Sequence, residues 1–104
     1  MRVLIFDVDG QKIKPNPQCD FSGIVKGTEG YLYAKFNLSP TEWDGCGKMA
    51  VFTCLGEEYP ERLEGDICLI PHEALIYNRF KVHVVGIRPG YRIQTNTIEV
   101  IQEG

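Results

Sequence analysis

A chain of 104 residues and 11.8 kDa has room for one globular domain, so we expect residues 1–104 to form a single domain. Hydrophobic residues make up 43% and charged residues 24%, proportions typical of a folded protein rather than a disordered one. The net charge of −3 argues against a nucleic-acid-binding protein, which needs lysine and arginine gathered on one face.

No stretch approaches the roughly 18 consecutive apolar residues that a membrane span needs. The opening segment, Met-Arg-Val-Leu-Ile-Phe-Asp, is too short in apolar residues for a secretory signal. The four cysteines contain no Cys-x-x-Cys pair, and we predict reduced thiols that mostly pack as small apolar groups. One disulfide is the alternative.

The hydrophobic periodicity is two residues, the spacing of β-strands, rather than the 3.6 residues of helices. The clearest case is 31–38, where Leu32, Ala34, Phe36 and Leu38 alternate with more polar residues. In chain order, the strand-like segments are 2–6, 21–26, 31–38, 48–55, 67–70, 80–86 and 97–100. Turn sequences separate them at 9–10, 27–30, 44–45, 64–66 and 89–90. This spacing predicts a sandwich or barrel of antiparallel strands.

Only residues 71–76 suit a helix, because Pro71 fits a first helical turn and the segment is short. The predicted fold is therefore all-β, an antiparallel β-sandwich of about 7–8 short strands with one short helical turn near residues 71–76. We expect Phe36, Phe52, Val82 and Val84 to be buried between the two facing sheets.

The segment Val-Leu-Ile-Phe-Asp-Val-Asp-Gly at 3–10 is similar to the first motif of haloacid-dehalogenase-type phosphatases, in which an aspartate acts as nucleophile. Gln11 stands where that family prefers threonine, and no helix is long enough for the crossovers of a parallel sheet. We predict instead a hairpin turn built on Asp9 and Gly10.

Metal binding and nucleophilic catalysis find little support. Cys46, Cys54, Cys68 and His72 carry metal-binding atoms, but Cys46 and Cys54 are spaced too widely for the tight pairs of structural zinc sites. Neither His72 nor His83 accompanies a nucleophile-elbow sequence. We predict no metal, no cofactor and no catalytic residue.

The aromatic residues are the candidates for an interaction surface, since tyrosine and tryptophan combine large area with a polar group. The interface candidates are Tyr31, Tyr33, Trp43, Tyr77 and Tyr91. For Trp43 we favour a core plug that closes one end of the sandwich, with its indole N–H donating to a backbone carbonyl. The alternatives are an interface anchor and, together with surface tyrosines, a carbohydrate-binding platform.

From Tyr31 onward, the order of features is more specific than any single motif. The segments are Tyr-Leu-Tyr-Ala-Lys-Phe-Asn-Leu-Ser (31–39), Thr-Glu-Trp-Asp-Gly (41–45), Lys-Met-Ala-Val-Phe (48–52), Cys-Leu-Ile-Pro-His-Glu-Ala-Leu (68–75), Phe-Lys-Val-His-Val-Val-Gly (80–86) and Thr-Asn-Thr-Ile-Glu-Val (95–100). This order resembles small immunoglobulin-like β-sandwich proteins of phages and prophages of Gram-positive bacteria. It is similar to the amino-terminal domain of siphophage baseplate upper and minor structural proteins.

The resemblance implies an immunoglobulin-like fold and a structural, non-enzymatic role in the virion: tail, baseplate or capsid-surface decoration. It also implies synthesis in the bacterial host cytoplasm, and partners that are other virion proteins and further copies of the chain in a homo-oligomer. Asn37 and Leu38 depart from the usual acidic-aromatic pair. A module that binds host-surface carbohydrate is the rival hypothesis. Exposed sheet edges would suit repeated side-by-side docking.

Overall fold

The computed structural model describes residues 1–104 and contains nine β-strands. They are β1 (Arg2–Asp9), β2 (Lys12–Pro15), β3 (Leu32–Leu38), β4 (Gly47–Cys54), β5 (Glu57–Arg62), β6 (Ile67–Leu69), β7 (Arg79–Arg88), β8 (Tyr91–Gln94) and β9 (Ile98–Ile101). One helical turn, α1, covers Pro40–Trp43, and a 3₁₀ turn covers His72–Leu75.

The strands form two packed sheets, which confirms the predicted β-sandwich. Sheet 1 has the order β2-β1-β3-β6. Sheet 2 has the order β5-β4-β7. On the side of β7 away from β4, β9 pairs with the first half of β7 and β8 pairs with the second half. The helical turn expected near 71–76 is present at 72–75.

The details of the strands differ from the expectation in three ways. There are nine strands rather than seven or eight, and α1 adds a second helical turn. Residues 21–26 form no strand, and only Val25 makes an isolated bridge, to Glu103. The pairing of β1 with β3 is parallel, whereas every strand was expected to be antiparallel.

The parallel pairing depends on the long connection that returns the chain from β2 to β3. A parallel pair needs a crossover of a dozen or more residues, usually helical, and here residues 16–31 cross over without a helix. The Arg2 guanidinium holds this connection by donating hydrogen bonds to the backbone carbonyls of Asp20, Ser22 and Gly23 at 2.6–3.1 Å. The connection also packs against the core through Phe21 and Ile24, so both these contacts and the Arg2 hydrogen bonds hold it without a helix.

The expected core residues Phe36, Phe52, Val82 and Val84 are all buried, which confirms that prediction. Phe36 stacks on Phe6 with ring centroids 5.2 Å apart. Twenty-two buried side chains from both sheets form one hydrophobic cluster. The sandwich therefore has one continuous core.

Trp43 is 1% exposed and its indole N–H donates to the Gly10 carbonyl at 2.9 Å, which confirms the core plug and its hydrogen bond. Gly10 lies in the turn between β1 and β2 with a positive φ of 58°, so the hairpin expected at Asp9 and Gly10 is also confirmed. The plug thus connects α1 to the first hairpin.

The free edges of the sheets are protected rather than open. The edge strand β5 carries Pro60, which has no N–H to offer, among four charged residues. The edge strands β2, β8 and β9 have only four residues each and β6 has three, and β2 ends in Pro15. Side-by-side docking of edges, which the sequence suggested, is therefore disfavoured.

Candidate interaction surface

The five predicted interface residues do not form one surface. Tyr31 and Tyr33 belong to the β3 region of sheet 1, Tyr77 follows the 3₁₀ turn, and Tyr91 begins β8 of sheet 2. Tyr31 and Tyr77 are exposed, and Tyr33 is half-buried. The Tyr91 hydroxyl donates to the Glu42 carbonyl at 2.8 Å, so part of this side chain holds α1 in place.

Trp43 is removed from the set of interface candidates. Its ring lies inside the sandwich, where it presents no face to a partner protein or a sugar. The ideas of an interface anchor and of a tryptophan-based carbohydrate platform are therefore wrong for this residue. Tyr31 and Tyr33 remain as surface aromatics without a tryptophan beside them.

A different surface stands out on sheet 2, on the side that faces away from the core. Strand alternation sends every second side chain of each strand outward. The outer face of sheet 2 consists of Met49, Val51, Thr53, Glu58, Pro60, Arg62, Arg79, Lys81, His83, Val85, Ile87, Arg92, Gln94, Glu99 and Ile101. Its apolar centre is formed by Met49, Val51, Val85 and Ile87 on β4 and β7, next to His83 and Lys81 on β7 and to the charged groups of β5, β8 and β9.

The apolar centre of this face is partly covered by its own neighbours. Val51 and Val85 point outward yet are only 8% exposed, while Met49 and Ile87 are 41% and 56% exposed. A groove of about 630 Å³ runs over these residues. The outer side of an antiparallel sheet usually carries polar side chains, so this face is unusual for a surface left in water.

His83 lies within the groove, and its surroundings affect its charge. Burial lowers the pKa of His83 below its usual 6.5. The nearby Glu58 carboxylate acts to raise this pKa and the Arg92 guanidinium acts to lower it. The centre of the face therefore disfavours an added positive charge.

The sequence contained a signal for this face that periodicity alone did not reveal. The apolar runs 49–52 and 84–87 interrupt strict alternation in two strands that turn out to be neighbours. Continuous apolar runs are typical of strands that are covered on both faces. The runs identify a candidate surface once the pairing of β4 with β7 is known.

Other reactive groups in the chain have structural partners. The Asp7 carboxylate accepts hydrogen bonds from the amides of Asn16 and Asn37, each at 3.0 Å, and these bonds lower the pKa of Asp7. Burial raises the pKa of the Cys68 thiol to about 12, and Cys54 is buried as well. These two cysteines pack as apolar groups, as predicted.

No three histidine, cysteine, aspartate or glutamate side chains lie close enough together to hold a metal ion. Neither of the helical turns has the length or apolar content that crossing a membrane requires. Comparison with family models, with curated proteins and with solved structures found no match to the chain.

Proposed function

We propose that the chain is a non-enzymatic structural protein of a bacteriophage particle, and that it acts by protein–protein assembly. The observation that supports assembly is the apolar centre of the outer face of sheet 2. The ordered segments from Tyr31 to Val100, which resemble phage β-sandwich proteins, support the phage particle as the setting.

An apolar sheet face costs free energy while water covers it, and association with another surface recovers that free energy. The centre of the outer face holds valine, methionine and isoleucine side chains, and arginine and glutamate lie around them. This arrangement matches the apolar core and polar rim of protein interfaces. A partner protein that covers the face fits this chemistry better than a small polar ligand does.

Within the particle, the proposed location is the tail, the baseplate or the capsid surface. The protein would be made in the host cytoplasm and would join other virion proteins there. Because the sheet edges are protected by proline, charge and short length, contacts with these proteins would use sheet faces rather than strand addition.

The test compares purified particles from phage with and without an intact copy of this coding sequence. We expect mass spectrometry to find the protein in purified wild-type particles, and electron microscopy to show altered particles when it is missing. Absence from purified virions, together with normal composition and infectivity of the particles that lack it, would overturn the proposal.

A further inference from the structure

We propose that the outer face of sheet 2 binds the same face of a second copy of this chain. The twofold axis would lie in the plane of the face, along the row formed by Pro60, Val51 and His83. The inference rests on the proposed role in assembly and assigns to it a surface, a partner and a symmetry. The partner is a second copy because Glu58 and Arg62, which lie on opposite sides of this row, complement each other across the axis.

The pairing register places the outward side chains in five rows across the strands. The outermost rows are Arg79 with Ile101 at one end and Ile87 with Arg92 at the other. The central row contains Pro60, Val51 and His83. The rows on either side of it contain Glu58, Thr53, Lys81 and Glu99, and Arg62, Met49, Val85 and Gln94.

Two opposite charges lie symmetrically about the central row. Glu58 and Arg62 are each two residues from Pro60 on β5, or about 7 Å along the strand. Both side chains are exposed, and neither forms an ion pair or hydrogen bond within the chain. They are about 14 Å apart along the strand, too far to pair with each other.

Rotation about the central row brings these two charges together between copies. Glu58 of one copy then faces Arg62 of the other, and the twofold axis generates the same pair a second time. Thr53 faces Met49 of the second copy, Lys81 faces Val85, and Glu99 faces Gln94. The isologous contact thus sets two identical ion pairs along the β5 side of the apolar centre.

The other simple twofold arrangement has its axis parallel to the strands, between β4 and β7. That axis brings Glu58 of one copy opposite Glu99 of the second, because both belong to the same row. Glu58 would then face a carboxylate that already pairs with Arg79 at 3.6 Å and would gain no positive partner, while Arg62 would face the uncharged Gln94. The charge pattern therefore selects the axis along the central row.

The size of the face implies weak association. Its four-strand width is roughly 20 Å and β4 is about 24 Å long, so the face is at the small end of specific interfaces. We expect a dimer that dissociates on dilution from millimolar to low micromolar concentration. Many weak contacts of this kind suffice where copies are held together in a particle.

The experiment uses sedimentation velocity on the wild-type chain and on two charge-reversal variants, Glu58→Arg and Arg62→Glu. In a homodimer of either variant, like charges face each other across the twofold axis. We therefore expect the self-association of each variant to weaken at least tenfold. An equimolar mixture restores both opposite-charge pairs, and we expect it to form a heterodimer about as tight as the wild-type dimer. Lys35→Glu, an exposed charge reversal on sheet 1, is the matched control and should dimerise normally.

Three outcomes would overturn the inference. They are a wild-type chain that stays monomeric at about 1 mM, single variants that dimerise like the wild type, and a mixture that fails to associate when the wild type does. Far-ultraviolet circular dichroism shows whether each variant is folded. A monomeric protein that is nevertheless present in purified particles would sink self-docking and leave the proposed function standing. A dimer that never enters particles would contradict the proposed function and leave the self-docking inference standing.

Discussion

The contact between Trp43 and Gly86 shows how one glycine makes room for the buried indole ring that closes one end of the sandwich. The indole ring lies over Gly86 in β7, and a β-carbon built at Gly86 would lie 2.8 Å from two ring atoms. The same β-carbon would lie 3.1 Å from a methyl group of Ile93. Glycine is therefore needed here for space, and the ring obtains its buried position only because Gly86 has no side chain.

Gly86→Ala should destabilise the fold by about 1–3 kcal/mol, because the added methyl group has no room to enter and the buried ring cannot move freely. Urea unfolding measures the change. Gly47→Ala is the matched control, since a β-carbon at Gly47 in the neighbouring strand meets nothing nearer than 3.8 Å and the residue has no positive φ. Equal stability of the two variants would show that Trp43 can shift at little cost.

His83 should make stability depend on pH near neutrality. Because burial lowers its pKa in the folded state, the unfolded chain binds the proton first as the pH falls below about 6.5. Stability should therefore be full above that pH and decrease as the pH falls through the folded-state pKa. Unfolding titrations between about pH 7.5 and pH 5 should show this slope, and His83→Gln should flatten it. An unchanged slope in the variant would assign the effect to another group.

At the scale of strands and turns, the sequence predicted the elements whose alternation is clean. Residues 31–38 and 80–86 were predicted as strands and lie in β3 and β7. Residues 21–26 were predicted as a strand without clean alternation, and this segment contacts the core through Phe21 and Ile24 without a neighbouring strand to pair with. The strand β5 was missed because its charged sequence with Pro60 lacks any apolar pattern.

The turn between β4 and β5 departs from the sequence preference for such turns. Leu55 and Gly56 connect the pair Cys54 and Glu57, and both have positive φ, 52° and 80°. Two-residue hairpins with this backbone favour asparagine or aspartate followed by glycine. Leucine in the left-handed region costs roughly 1–2 kcal/mol in strain.

Leu55→Asn should therefore stabilise the domain by about 0.5–1 kcal/mol, because asparagine tolerates the left-handed conformation and Leu55 is 64% exposed and packs little. Thermal unfolding followed by circular dichroism measures the shift. Gly56→Ala, in the adjacent left-handed position, should lower the melting temperature. A loss of stability in Leu55→Asn would mean that the leucine side chain makes contacts that matter more than the backbone strain.

At the scale of the whole molecule, the continuous core should make the domain unfold as one unit. Phe36→Ala removes a ring that is stacked on Phe6 and 1% exposed. The expected cost of about 3–5 kcal/mol is a large part of the stability of most domains of this size. Denaturant titration should show one transition shifted to lower concentration, with the exposed Lys35→Ala as control. A cost below about 1 kcal/mol would contradict the central position of this residue.

The arrangement of the two sheets was predictable only in outline. The parallel pairing of β1 with β3 depends on a crossover held by the guanidinium of Arg2, a contact between distant segments that local patterns do not encode. The candidate surface also depends on tertiary structure. The register of β5 with β4 places Glu58 and Arg62 at equal distances on either side of the central row. The tyrosines were predicted to form a surface from their chemistry alone, but the fold places them on separate elements rather than together.

The burial of Trp43 also gives the molecule an internal optical probe. It is the single tryptophan of the chain, and its indole is held in an apolar site with one defined hydrogen bond. Its fluorescence should therefore be that of a shielded ring and should shift to longer wavelength when the core opens. Because the ring packs on the inner side of β7, binding at the outer face of sheet 2 should leave the emission nearly unchanged. Unfolding and association can thus be followed separately in the unlabelled protein.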